Sequence, residues 1–232
     1  MKEKEYRRNL FIGWIGAFFM WLGDLSLSLI VPCDTDQGLF LREAYLNGSY
    51  ALWRPVFLLV TGMVGVYGYW YGMKSIRQSL RGYSERWCTV FEQCSMIFCF
   101  TGLMVHFAIG IGSYITSYVA VQIGREEAIT MIGDFTGRFF PAIYIVYLPM
   151  AFLYIYQFAM LVRGKTIYYK RMLLFCPLFW MAVCVLIPDI RQFLNCHLVT
   201  LDYALTQGSG NFACMLYFAA CLLLPDKWKL KA

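Results

Sequence analysis

The sequence predicts an all-α fold: a polytopic transmembrane helical bundle with six spans and both chain termini in the cytoplasm. Three observations lead to this fold class. Of the 232 residues, 60% are hydrophobic and only 15% are charged, whereas a soluble domain carries about 25% charged residues. The hydrophobic residues form six long runs, and lysine and arginine gather at alternate ends of those runs.

Each of the six runs is a candidate membrane span in a single integral membrane domain that covers residues 1–232. A helix needs about 20 apolar residues to cross the hydrocarbon core of a bilayer. The predicted spans are Asn9–Pro32, Arg54–Met73, Cys88–Ile111, Phe139–Val162, Met172–Pro188 and Gly208–Pro225. The third run continues to Gly124, so this helix is expected either to protrude from the bilayer or to bend at its glycines.

Prolines help to place the ends of the predicted spans. Three prolines are expected to close helices: Pro32, Pro188 and Pro225. Pro141 is expected in the first turn of the fourth span, where a missing N–H costs little. Pro149 and Pro177 fall inside the fourth and fifth predicted spans, where they are expected to kink the helix.

The basic residues predict how the chain is threaded. Fifteen of the 20 lysine and arginine residues lie in the two terminal tails and in the second and fourth connections, against five in the other connections. Cytoplasmic connections carry the excess of basic residues, so both termini are predicted to be cytoplasmic. The net charge of +6 comes with no basic stripe or recognition motif, so nucleic acid is not an expected partner.

The nine cysteines and two histidines predict neither a metal site nor a cofactor. No pair of cysteines has CxxC spacing, and most of them lie inside apolar runs, where they are expected to act as small buried hydrophobic side chains. Cys33 and Cys196 lie outside the apolar runs on one predicted side of the membrane. A disulfide between them is an alternative if that side is oxidising.

Asp24 is the one charged residue in the apolar stretch from Gly13 to Pro32. The residues that share its helical face are mostly small, and they are Met20, Ala17, Gly16 and Gly13. Small residues allow a second helix to approach closely, so the carboxylate is expected to face the bundle. His106 repeats this pattern in the third span, and both residues are predicted to lie in the outer half of the membrane.

Other polar residues are expected at the same depth and lead to a hypothesis of an outward-opening polar pocket. The hypothesised substrate-binding residues are Asp24, His106, Asp134, Arg138, Asp189 and Asn211. A buried carboxylate costs several kcal/mol unless it pairs, is neutralised or faces water. The alternative is structural: Asp24 pairs with His106 or Arg138 to hold the bundle, and the other residues belong to loops or helix caps.

Three further patterns do not predict a catalytic or nucleotide-binding site. Gly164, Lys165 and Thr166 resemble the end of a phosphate-binding loop, but Ala159 replaces the first glycine and no strand precedes them. The segment is instead predicted to be a turn that contacts anionic headgroups through basic residues, which are Arg163, Lys165, Lys170 and Arg171. A stripe of glycines in the second span predicts helix packing: Gly62, Gly65, Gly68 and Gly72. The aromatic residues between Tyr67 and Gly72 are predicted to form an interfacial belt.

Several segments resemble an uncharacterised family of bacterial multi-span membrane proteins that is described only as a domain of unknown function. The segments are "GWIGAFFMWLGDLSL", "RPVFLLVTGMVGVYGYWYG", "VRGKTIYYKRMLLFCPLFWMAVCVLIPD" and "GSGNFACMLYFAACLLL". The positions that correspond to the family pattern are Gly23, Asp24, Gly164, Lys165, Thr166, Pro188 and Asn211. The resemblance implies a multi-span membrane protein and implies no activity.

Three classes of function remain open from the sequence. The first is binding or transport of a lipid or small solute in the polar pocket. The second is an accessory or structural membrane protein, and the third is an intramembrane lipid-modifying enzyme that uses Asp24 and His106 as an acid–base pair. The expected location is a cell membrane, of the bacterial cytoplasmic type. Membrane lipids are the expected partners, and a homo-oligomer or an unknown membrane partner is left open.

Overall fold

The structure, a computed structural model, describes residues 3–29, 40–80, 85–193 and 205–224. Within these residues the chain is helical and contains no strand, so the predicted all-α class is confirmed. The elements are α1 (Glu3–Ser28), α2 (Glu43–Leu46), α3 (Trp53–Ser79), α4 (Glu85–Gln122), α5 (Arg125–Val162), a 3-10 helix (Lys170–Phe175), α6 (Pro177–Phe193) and α7 (Ser209–Leu223). Four of the described helices, α1, α3, α4 and α5, are long and apolar enough to cross a membrane, whereas α6 and α7 are shorter.

Helices α1 and α3 run antiparallel with their backbones in contact. A Cβ atom added to Gly16 of α1 would lie 2.6 Å from the Cα atom of Gly68 in α3, and one added to Gly13 would lie 2.6 Å from the Cα atom of Gly72. An added Cβ atom would overlap the facing backbone at either position, so the two helices can lie this close only because these residues are glycines. The predicted role of these glycines in helix packing is confirmed.

Helices α4 and α5 form a long antiparallel hairpin. Each has 38 residues, which at 1.5 Å per residue is about 57 Å, nearly twice the roughly 30 Å of a hydrocarbon core. The fourth long helix begins at Arg125, 14 residues before the predicted start of the fourth span at Phe139. Pro141 consequently lies inside the helix and not in its first turn. The helical residues before Phe139 include several charged side chains. Glu126 and Glu127 lie in the first turn, where negative charge stabilises a helix N-terminus.

The segment after residue 40 packs against this hairpin. The ring of Phe40 meets the rings of Phe135 and Phe140 edge to face, with centroids 6.3 and 5.7 Å apart. The Glu43 carboxylate accepts two hydrogen bonds from the Arg125 guanidinium, at 2.7 and 2.8 Å. The Arg125 guanidinium lowers the pKa of Glu43 below its ordinary value. The segment that contains Phe40 and Glu43 is therefore tied to the start of α5.

The opposite end of the bundle is closed by the segment that follows α5. Gly164 has φ of +64° and ends the helix in a Schellman motif, in which the Lys165 N–H donates to the carbonyl of Met160 at 2.9 Å. The Ile167 N–H then donates to the carbonyl of Ser79 at 2.9 Å. The helix C-cap therefore accounts for Gly164, and the segment does not form a phosphate-binding loop. The four basic side chains of the predicted headgroup contact are exposed around this anchored turn: Arg163, Lys165, Lys170 and Arg171.

Two predicted proline roles are wrong. Pro177 begins α6 and does not lie inside a helix. The reason is that Cys176 before it is extended, with φ of −60° and ψ of 134°, and a residue before proline disfavours the helical region. Helix α6 continues through Pro188 to Phe193, so that proline does not close it. Pro32 and Pro225 lie outside the described residues.

Candidate functional site

Asp24 lies near the C-terminal end of α1 and is held by a hydrogen-bonded chain of three side chains. The Asn211 Nδ2 atom donates to Asp24 Oδ2 at 2.7 Å, and the Tyr69 hydroxyl donates to Asn211 Oδ1 at 2.9 Å. Because the Tyr69 hydroxyl donates to the amide oxygen, the amide nitrogen is turned toward the carboxylate. Three helices, α1, α3 and α7, therefore orient one acidic group.

His106 approaches the same carboxylate from α4. Its Nε2 atom lies 3.6 Å from Asp24 Oδ1, just beyond ordinary hydrogen-bond length, and its side chain is buried. Gly62 of α3 makes room for the ring, since a Cβ atom there would lie 3.2 Å from both Cβ and Nδ1 of His106. The acid and the imidazole thus meet at one place, as the sequence predicts.

These groups line a partly enclosed cavity of about 270 Å³. This volume is large enough to hold several water molecules. Leu58 near the start of α3, Asp24 near the end of α1 and Asn211 in the first turn of α7 all line it. The cavity therefore lies in the half of the bundle remote from the N-terminal end of α1. Its walls include apolar side chains such as Phe98, Val105, Met150 and Met181.

Arg42 is a lining residue that the sequence analysis did not single out. Its side chain is buried, with 2% of the residue exposed, and its Nη1 atom donates to the carbonyl of Leu27 at 2.9 Å. In the sequence it is one arginine in a polar connection, where a solvent-exposed side chain is the ordinary expectation. Only the contact of this residue with the end of α1 places it at the cavity wall.

Tyr69 is a second residue whose role the sequence misplaced. The prediction of an interfacial belt fits Tyr67, which is 62% exposed, but Tyr69 is 1% exposed. Helix α3 continues to Ser79, beyond the predicted end of the span at Met73. Two residues correspond to a rotation of about 200° on a helix, so Tyr69 faces the interior opposite Tyr67, and its hydroxyl reaches Asn211.

Two other predicted site residues, Asp134 and Arg138, do not line the cavity. Asp134 and Arg138 pair with each other at 2.7 Å within α5, and their side chains are 62% and 73% exposed. Neither residue lines the cavity, so a pairing of Asp24 with Arg138 is also ruled out. The reason is the early start of α5, which makes this segment part of the long hairpin. The side chain of Asp189 lies outside the described part of the structure.

The described cysteines are free thiols. One of them, Cys214, has its Sγ atom 2.9 Å from the Tyr154 hydroxyl, and both residues are buried in the packed interior. Among the residues that the structure describes, no group of three or more His, Cys, Asp or Glu side chains is placed to hold a metal ion. Cys33 and Cys196, the pair considered for a disulfide, lie outside the described residues.

Fold and site together define an all-helical protein with four helices long and apolar enough to cross a membrane, which indicate a membrane protein, and with a polar cavity between its helices. The chain belongs to a family of unknown function (DUF6796), and the match covers residues 1–228. Neither a curated protein nor a solved structure matches the chain.

Proposed function

We propose that this protein binds a small polar solute or the polar headgroup of a lipid in the cavity beside Asp24, as a membrane binding or transport protein. The observation that carries the proposal is an intramembrane carboxylate at the wall of a 270 Å³ cavity. A carboxylate in hydrocarbon costs several kcal/mol and usually marks a binding site or ion pathway. A carboxylate with a purely structural role would instead be sealed in a dry helix interface.

The partners of Asp24 support a binding role. Asn211 is neutral, so its hydrogen bond orients the carboxylate without cancelling the charge. Tyr69 fixes Asn211 in turn, and such a supporting second layer of hydrogen bonds is what holds a ligand-binding group in one orientation. Gly62 leaves room for His106 at the opposite oxygen. The carboxylate is thus preorganised at the cavity wall, where its side chain is 16% exposed.

The experiment compares what co-purifies with three forms of the full chain: wild type, Asp24→Asn and Asp134→Asn. Mass spectrometry under native conditions should find a bound small molecule or lipid with wild type and with Asp134→Asn, and should find it depleted with Asp24→Asn. Asp134 is the matched control because it is an exposed acid outside the cavity. An identical set of bound molecules in all three forms would refute the proposal.

The proposed membrane arrangement has six spans, with both termini in the cytoplasm of a bacterial cell. Helices α6 and α7 have 17 and 15 residues, about 25 and 22 Å long, so they would cross a locally thinned bilayer. The exposed basic turn at 163–171 supports a cytoplasmic position against anionic headgroups.

Accessibility of introduced cysteines tests this arrangement. Lys165 and Glu127 are both exposed and are predicted to lie on opposite sides of the membrane. A membrane-impermeant thiol reagent should label Glu127→Cys in intact spheroplasts and should label Lys165→Cys only after the membrane is opened, relative to the unsubstituted protein. Labelling of both variants from one side would contradict the threading.

A further inference from the structure

The cavity beside Asp24 changes character along α4. His106, Gly102 and Phe98 recur at intervals of four residues and all line the cavity, so they share one face of the helix. His106 lies beside the carboxylate of Asp24. Phe98 lies eight residues before His106, which corresponds to about 12 Å along the helix axis. The cavity therefore extends from a polar end at Asp24 to an apolar end at Phe98.

Gly102 keeps the middle of this face open. Among the described residues, no heavy atom would lie within 4 Å of a Cβ atom added there. A Cβ atom added to Gly62 or Gly68 would instead contact the neighbouring helix. Gly102 is half-buried and lines the cavity, so the open space beside it belongs to the cavity and not to the outer surface of the bundle.

Aromatic rings close the apolar end in the direction of the N-terminal end of α1. The Phe98 ring meets the rings of Tyr69 and Tyr154 edge to face, with centroids 5.6 and 6.5 Å apart. The Tyr154 hydroxyl lies 2.9 Å from Cys214 Sγ, which joins α5 to α7 at this level. A long ligand cannot continue between these packed side chains, so its far end has to leave the cavity sideways.

A side opening lies between α5 and α6. Met150 of α5 and Met181 of α6 both line the cavity, and α6 packs mainly against α7 and the 3-10 helix, with few positions close to α5. Leu178 and Val185, one turn before and after Met181, are 36% and 52% exposed. Tyr147, one turn before Met150, lines the cavity and is 42% exposed. In the proposed membrane arrangement, the cavity therefore reaches the lipid-facing surface between these two helices.

We propose that the ligand is a membrane lipid, an inference that rests on the proposed function. Its polar headgroup lies beside Asp24, and one acyl chain passes Gly102 and leaves between Met150 and Met181 into the bilayer. Ligand sites commonly combine apolar walls with a few polar groups that fix the orientation of the ligand. Methionine side chains adapt their packing and suit a flexible chain. A free polar solute would gain nothing from the apolar end and needs no opening to lipid.

The experiment fills the space beside Gly102 in the full chain. Gly102→Leu places a side chain in the cavity, on the proposed path of the acyl chain. Gly137→Leu is the matched control, because Gly137 is exposed on α5 and does not line the cavity. A Cβ atom meets nothing within 4 Å at either position, as far as the structure describes the chain, and leucine favours a helix more than glycine does. Both variants should therefore fold, with thermal midpoints at or above that of wild type.

Each form is reconstituted in phosphatidylcholine nanodiscs that contain phosphatidylethanolamine or phosphatidylglycerol with a diazirine on one acyl chain. After illumination, mass spectrometry of peptides measures the cross-links. Wild type and Gly137→Leu should be labelled at Met150 and Met181, and Gly102→Leu should lose at least tenfold of this labelling, because leucine and the acyl chain compete for one space. Gly102→Ala adds a smaller side chain and should lose less. Leu148, which is 66% exposed and outside the cavity, reports the surrounding lipid and should be labelled equally in all forms.

The outcomes separate this proposal from the proposed function. Equal labelling of Met150 and Met181 in wild type and Gly102→Leu overturns the lipid path, as does labelling of Leu148 without them. Native mass spectrometry of the same variants then tests the proposed function by itself. A small solute that Gly102→Leu retains and Asp24→Asn loses would leave the proposed function standing without a lipid. If Asp24→Asn retains the same molecules as wild type, both proposals are refuted.

Discussion

Substitution of Gly68 by alanine tests the contact between α1 and α3, on which the position of Asp24 depends. The new Cβ atom would lie 2.5 Å from the Cα atom of Gly16 and 2.7 Å from the carbonyl oxygen of Ile12. Both atoms belong to the backbone of α1, so no side-chain rotation relieves the contact. The two helices must move apart by about 1 Å, a gap that forfeits a quarter to a half of each dispersion contact along the interface.

The expected cost is a net loss of about 2 kcal/mol in the free energy of unfolding. Overpacking of a tight interface costs about 1–3 kcal/mol, and the better helix propensity of alanine offsets up to about 1 kcal/mol of it. For a chain of this size such a loss lowers the thermal midpoint by roughly 4–8 °C. Tryptophan fluorescence in detergent provides the assay.

Gly133→Ala is the matched control, because a Cβ atom at that helical position meets nothing within 4 Å. The same chemical change should there raise the stability by up to about 1 kcal/mol, through a smaller entropy of the unfolded chain. Gly16→Ala should act as Gly68→Ala does, and the double variant should lose less than the two losses added together, since the first separation relieves the second. Equal midpoints for Gly68→Ala and Gly133→Ala would refute the argument.

Two further predictions concern the support of the site and its outer connection. Tyr69→Phe removes the hydroxyl that donates to Asn211. It should lower the free energy of unfolding by about 1 kcal/mol and weaken the binding of the molecule that co-purifies. Tyr67→Phe, on the exposed face of the same helix, should change neither, and equal effects of the two variants would contradict the assignment. Because Arg125 lowers the pKa of Glu43 from 4.5, their contact stabilises the fold above that value and is lost as the pH falls through the lowered pKa. Amide exchange should therefore show α2 protected at neutral pH and released as the pH falls through the lowered pKa of Glu43. Glu43→Gln should release it at neutral pH, and unchanged protection there would argue against the tie.

Apolar length and small-residue spacing were sufficient to predict the main helices and one of their contacts. In lipid the backbone must satisfy its own hydrogen bonds, so a long apolar run has few alternatives to a helix. The glycines of α3 recur at helical spacing, and the structure places Gly68 against Gly16 as that spacing predicts. The same reasoning placed Asp24 and His106 on faces directed into the bundle.

A hydropathy pattern does not detect the polar first turns of a helix such as α5. The residues before Phe139 are polar, and they are helical because α5 packs against α4 and the segment around Phe40 covers the pair. The prediction of Asp134 and Arg138 as site residues failed for this reason. Each satisfies the other on an exposed helical face.

The sequence by itself determined that the chain forms long apolar helices, which of their faces permit close packing, and which carboxylate would be costly to bury. Tertiary structure alone decided that Arg42 lies at the cavity and that Tyr69 supports Asn211, because these residues come from segments far apart in the chain. A local sequence pattern indicates how well a residue suits its own helix and which face of that helix is apolar. Burial and pairing depend on which distant segment packs against it, and that is set by the fold as a whole.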